Sequence, residues 1–389
     1  MGALRSWWRD PALWIFLWSR VAIWAGVVLF AFWLRGRHAP ALPGGYLLDV
    51  WGHWDGEWFV QIAKHSYGSR REAAAFFPLY PGMLAVLGRA FGGEYVAAGV
   101  VLSLGAAAAA FVFLRRLTAL ELGEETALRA TVLLAVFPLS LFLQAVYSES
   151  TYLALALGAF LAARTGRWAL AAGALAGAVL VRPTSLALFV ALGLLAWRSP
   201  VRRRALAWIV PAPLVFVLFP LTLWQQAGDP FLFAHAEKYW HRELSALGPL
   251  GGVIDGARAA WHGAGDVISP HQSADWIYPA GLDVQHTGAL NLEAFLFLLL
   301  YLALAVAAWR LLGAAYGLFC VISLALPLST PWSVLPLYSL PRFGLVIFPF
   351  FMVLGAIAST PRRYTAIVVC SVVLLAADVA RWALGLWVA

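Results

Sequence analysis

Within nine residues, WGHWDGEWF (51–59), the chain places His53, Asp55 and Glu57 among three tryptophans, with Asp49 two positions earlier. Those residue types can do acid–base chemistry. A carboxylate backed by an apolar aromatic wall is poorly solvated and can take a proton from a hydroxyl as a general base. If WFVQIAKH is helical, Asp55 lies near its N-terminus, where helix capping would also suit it. Capping leaves the neighbouring acids unexplained, so Asp55 is the expected base. Asp49, His53, Trp54 and Glu57 are the expected surroundings of a hydroxyl-bearing acceptor such as a sugar, for which aromatic rings offer stacking faces. An interfacial aromatic belt accounts equally well for many of the 20 tryptophans.

Cations that could face a phosphate stand elsewhere. In LVRPTSLAL (180–188), Arg182 lies between two apolar half-spans, where an ionisable side chain is a functional candidate unless it snorkels to the interface. GDPFLFAHAEKYWHRE (228–243) gathers Asp229, His235, Glu237, Lys238, His241 and Arg242. If it is helical after Pro230, Lys238, His241 and Arg242 share a face that could clamp a phosphate or diphosphate. Its HAEKYWH order is not HExxH, so no metal site is expected. In YSLPRFGLVIFPFF (338–351), Arg342 opens a span and could reach a lipid phosphate; Lys64 is a weaker candidate. AVYSESTY (145–152) sets Glu149 at a membrane boundary, where Ser148 could cap the following helix. Arg20, inside the first apolar run, is expected to pair with a buried acid or a lipid phosphate. No nucleotide-binding glycine loop and no G-x-S-x-G is present.

The elements that must position these groups are membrane helices. Of 389 residues, 62% are hydrophobic and 12% charged, and the mean hydropathy is +0.80. A soluble domain carries about 25% charged residues. Continuous Leu/Ala/Val runs suit α-helical spans rather than the alternating strands of a barrel. Eleven spans are predicted: 12–34, 94–114, 127–146, 149–163, 167–181, 184–197, 205–227, 290–309, 313–329, 342–358 and 364–387. The broken stretch 77–92 reads as a re-entrant or interfacial helix. With the N-terminus in the cytoplasm, most arginines, Arg5 among them, fall on the cytoplasmic side, so the net charge of +8 reports orientation and not nucleic-acid binding. The cytoplasmic face then looks like topology determinants and little else. Two long polar segments face outward, within 35–93 and 228–289, and hold both lysines and most acids. Cys320 and Cys370 read as packed thiols. The whole chain, 1–389, is one all-α polytopic membrane domain.

WDGEWFVQIAKHSYG, AFFPLYP, YSESTY, LVRPTSLAL, GDPFLFAHAEKYW and SLPRFGLVIFPFF, in that order, resemble the PIG-V-type mannosyltransferases, relatives of GPI mannosyltransferase II with bacterial members. The resemblance implies a GT-C fold, an active site at the outer face of a bacterial cytoplasmic membrane, and an inverting transferase. The implied donor is a polyprenyl-phosphate sugar, typically mannose; the acceptor is a lipid, glycan or protein hydroxyl. It places the catalytic base on Asp55, a companion acid on Glu72, the FFPLYP segment on Phe76–Pro81 with Tyr80, and the membrane-edge Glu and Arg on Glu149 and Arg182. Its late Pro-Arg falls on Pro341 and Arg342. Such a donor carries its own leaving group, so no metal or other cofactor is expected. Arg182, Lys238, His241, Arg242, Arg342 and Lys64 are the expected phosphate ligands. A lipid or solute transporter is the competing reading, since intramembrane arginines and broken helices fit that class; the chain shows neither an internal repeat nor paired broken helices.

Overall fold

A computed structural model describes residues 9–34, 45–269 and 283–388. Arg5, the start of the first expected outer loop and part of the second lie outside the described residues. All regular structure among those described is helical. α1 (Pro11–Leu34) leads to α2 (Asp55–His65) and α3 (Leu79–Ala90), followed by α4 (Tyr95–Leu122), α5 (Glu124–Val136), α6 (Glu149–Arg164), α7 (Trp168–Val179) and α8 (Ser185–Trp197). α9 (Arg202–Ala227) passes through a 3-10 stretch, Ala212–Val217. α10 (Pro249–Ile268), α11 (Val284–Leu312), α12 (Ala314–Leu328), α13 (Pro349–Ile357) and α14 (Pro361–Ala383) complete the chain.

Local chemistry explains the ends. Pro249, Pro349 and Pro361 start α10, α13 and α14, where a missing N–H costs nothing. Asp283 caps α11 by accepting from the His286 N–H at 2.7 Å. Gly123 (φ 86°) and Gly313 (φ 91°) turn α4 into α5 and α11 into α12 in a single residue.

Among the described residues five helices, α1, α4, α9, α11 and α14, are long and apolar enough to cross a membrane; α7, α8 and α12 are apolar but shorter. Helices lie over the expected spans, but two are broken. The segment 127–146 stops as an α-helix at Val136, because Pro138 disfavours helix at Phe137 and starts a 3-10 turn, Pro138–Leu143. The segment 342–358 is split into Leu340–Gly344 and α13. The expected outer loop 228–289 holds α10, packed so closely on α11 that a Cβ on Gly263 would stand 2.3 Å from the Gly288 carbonyl oxygen.

Among the described residues Arg20, which is buried, meets no acid. It donates to the Ser140 carbonyl at 2.6 Å and the Ala135 carbonyl at 3.3 Å. Both carbonyls lie where α5 gives way to the 3-10 turn; the Ala135 carbonyl also accepts from the Ser140 hydroxyl at 2.9 Å, and Arg20 adds donors that help seal the break.

The two ends of the bundle differ. At one end Asp10 pairs with Arg115 at 2.7 Å and Arg116 at 3.5 Å, Glu121 with Arg164, and Glu125 with Arg129. The arginines read as topology determinants are therefore also tied to acids. At the other end α6, α7, α8 and α12, with 16, 12, 13 and 15 residues, begin or stop. At 1.5 Å per residue they span about 18–24 Å, short of a hydrocarbon core of roughly 30 Å. The space above them is where the candidate site lies.

Candidate active site

Asp55 is placed by a chain of contacts that begins in the tryptophans. Trp51 is fully buried, 5.3 Å from Trp24 and 6.0 Å from Trp382 between ring centres. Trp54 stands edge-on to Trp382 at 4.7 Å. The Trp51 carbonyl accepts from the Val146 N–H at 2.9 Å, joining this turn to the segment before α6. Trp54 adopts φ 54°, unusual for a bulky residue. The Tyr147 hydroxyl bridges that turn, donating to the His53 carbonyl at 3.1 Å and accepting from the Asp55 N–H at 3.2 Å. Strained backbone held by its surroundings is common where a side chain must be aimed.

Asp55 is the first residue of α2, and its carboxylate does not cap the helix. It turns to Arg342, whose Nη1 lies 2.7 Å from Asp55 Oδ2. Arg342 reaches Glu149 with its Nε at 3.3 Å, and Arg182 Nη2 pairs with the same Glu149 oxygen. Glu149 is 0% exposed, so the two arginines supply its counter-charge. Ser148 makes no cap either; its hydroxyl accepts from Arg182 Nε at 3.0 Å. The chain Asp55–Arg342–Glu149–Arg182 thus links four charges drawn from 55 to 342.

These groups meet at a cavity of roughly 330 Å³ lined by Asp55, Ser148, Arg182, Thr184, Glu237, Arg242, Tyr338, Ser339, Arg342 and Phe343, with Phe59, Phe76, Phe77 and Trp240 among its aromatic walls. The Phe343 ring centre lies 5.9, 5.6 and 5.7 Å from the guanidinium carbons of Arg182, Arg242 and Arg342. Gathering three cations around one aromatic face eases their mutual repulsion and leaves them able to meet an anion. Burial pulls Arg242 below its ordinary value, with Glu237 opposing. Burial raises the Glu237 carboxyl above the usual carboxylate range, with Arg242 opposing. Ser339, at φ 62°, has a buried hydroxyl with no hydrogen-bond partner among the described residues.

Residues 42–197, about two fifths of the chain, match the family model described as mannosyltransferase (PIG-V). Over those residues the chain is similar to the PIG-V mannosyltransferases. The all-helical architecture with several long apolar helices agrees with the polytopic helical fold the resemblance implies. No curated protein and no solved structure matches it at a significant level. The PIG-V match contains Asp55, Glu149 and Arg182; Arg242 and Arg342 lie beyond it and join them through the fold.

Other expected site residues stand apart from the cavity. Asp49 and Glu57 are exposed outside it, and His53, held below its ordinary value by burial, contributes its backbone carbonyl. Trp54 packs in the aromatic cluster. Tyr80 is fully buried behind Phe59, its hydroxyl 3.0 Å from Ser103. Glu72 offers its carbonyl to Trp240 at 3.2 Å. The expected face of Lys238, His241 and Arg242 does not form: the helix Leu232–His235 tightens to 3-10 over Ala236–Trp240, and His241 takes φ 56°. Arg242 turns into the cavity, Lys238 is exposed, and His241 stacks on Trp332 at 5.2 Å. Lys64 lies over the Tyr95 ring, outside the cavity.

Tyr147, Glu237, Ser339 and Phe343 were not singled out for this site by their sequence patterns. Phe343 and Ser339 flank Arg342 in SLPRF, the one local signal that could have drawn attention to them. Among the described residues no group of three His, Cys, Asp or Glu side chains is placed to hold a metal ion.

Proposed function

We propose that this protein transfers a sugar, mannose by its family, from a polyprenyl-phosphate donor to an acceptor hydroxyl, with inversion, at the outer face of a bacterial cytoplasmic membrane. The observation that carries the reading is the meeting of Asp55 with three arginines in one cavity, recessed above short helices. The donor phosphate enters among Arg182, Arg242 and Arg342, with its apolar tail in the lipid. Arg342 then shares its charge with the phosphate, and Asp55 is relieved of part of its ion pair. Asp55 takes the acceptor proton as the oxygen attacks the anomeric carbon, while the arginines stabilise the charge growing on the leaving phosphate. The planar guanidinium of arginine can meet two phosphate oxygens at once in paired hydrogen bonds. The reaction in this form calls for no metal.

The test is a donor comparison on purified protein in lipid. Transfer of labelled mannose from polyprenyl-phosphate-mannose, with little from a nucleotide-linked mannose, is the expected result. Transfer from the nucleotide sugar alone would overturn the donor assignment.

A further inference from the structure

On the far side of the Phe76–Pro78 wall from the catalytic cavity lies a second, polar hollow of roughly 430 Å³. Lys64, His65 and Arg89 line it, and no carboxylate does. None of these three forms an ion pair with an acid among the described residues; Lys64 rests 5.1 Å from the Tyr95 ring centre. The hollow shares Pro78 and Gly82 with an apolar groove of roughly 420 Å³ that runs between α3 and α4 past Met83 and Leu102. Val86 on the groove wall is 67% exposed, facing where lipid must be. The groove follows α3 from Leu79 to Leu87, about 12 Å at 1.5 Å per residue.

We propose that this pair of cavities binds one membrane phospholipid with an anionic headgroup, its phosphate at Lys64 and Arg89 and one acyl chain in the groove. Three features single out that occupant. The cations are uncompensated, so an anion neutralises them while a zwitterion leaves charge over. The polar and apolar spaces adjoin at Pro78 and Gly82, as an amphiphile requires. Basic residues at a helix end beside lipid-facing apolar surface match the depth of a headgroup. The site also touches the catalytic element: Lys64 and His65 close α2, whose first residue is Asp55. A bound lipid therefore braces the helix that aims the carboxylate.

The test reads lipid binding, so its outcome is independent of the transferase assignment. The full-length protein is delipidated in stages in detergent and examined by native mass spectrometry with phosphatidylglycerol or phosphatidylcholine of equal chain length. Wild type is expected to retain one phosphatidylglycerol that neither phosphatidylcholine nor inorganic phosphate displaces. Lys64→Ala with Arg89→Ala should lower that retention at least about fivefold, the loss expected when two cations near a membrane surface are removed. Gly82→Leu keeps every cation and fills the junction; a Cβ there meets nothing within 4 Å. It should reduce retention similarly. Equal retention of the two lipids by wild type, or displacement by inorganic phosphate alone, would overturn the proposal. So would unchanged retention in folded Gly82→Leu, even if the double variant failed to fold.

Discussion

Glu149 has no exposed surface, yet it touches two of the arginines that face the cavity. Its role is to hold Arg182 and Arg342 at fixed positions, because a buried charge without partners is strongly disfavoured. Glu149→Gln takes from Arg182 its acid partner and leaves Arg342 with Asp55 alone, and should destabilise the protein by about 3–5 kcal/mol, read as a lowered melting temperature in detergent. An unchanged melt would contradict the assignment. Glu237 carries a pH signature. Burial raises its carboxyl, so the folded state favours the protonated form. That stabilisation is complete below the ordinary carboxylate pKa and is lost as pH rises through the raised value. Melting temperature should fall over that window in wild type, and Glu237→Gln should flatten the fall; an identical slope in both would remove Glu237 as its source. Sequence reasoning singled out Asp55 because an acid among tryptophans is anomalous in so apolar a chain. It could not separate a capping carboxylate from one aimed at Arg342, since that depends on a partner 287 positions away. Lys238 and Arg242 show the same limit in another form. Their spacing predicts a shared helical face, and the left-handed turn at His241 cancels it.

At the scale of elements, the breaks matter as much as the helices. α5 ends at Val136, and the carbonyls at this break, Ala135 and Ser140, would be less well satisfied in lipid without Arg20. Arg20→Met removes the charged donor to the Ser140 and Ala135 carbonyls, of which Ala135 keeps the Ser140 hydroxyl, and should cost about 1–3 kcal/mol, measured as a lower melting temperature. No loss would show that those carbonyls find other donors. Hydropathy gave the positions of the apolar segments. It did not reveal the break at Pro138 or the split before Pro349, because hydropathy does not register proline's effect on the backbone, nor α10 within an expected loop, whose packing on α11 at Gly288 is tertiary. The short helices α6, α7 and α8 were visible as short apolar runs, and their consequence, a recessed cavity floor, is geometric.

At the scale of the whole molecule, the cavity draws on segments from 55 to 343, and the family match ends at 197. Asp55 and its arginines come together only when segments from all three thirds of the chain pack. The opposite end, bound by Asp10, Glu121 and Glu125 to arginines, fixes the bundle from below. The account stands or falls on Asp55 taking the acceptor proton within that assembly. Transfer of mannose from polyprenyl-phosphate-mannose, compared between wild type and Asp55→Asn under single-turnover conditions, tests it most directly. The account predicts a rate about 10²–10⁴-fold lower in a variant that remains folded and still binds the donor. A folded Asp55→Asn protein turning over at the wild-type rate would contradict it.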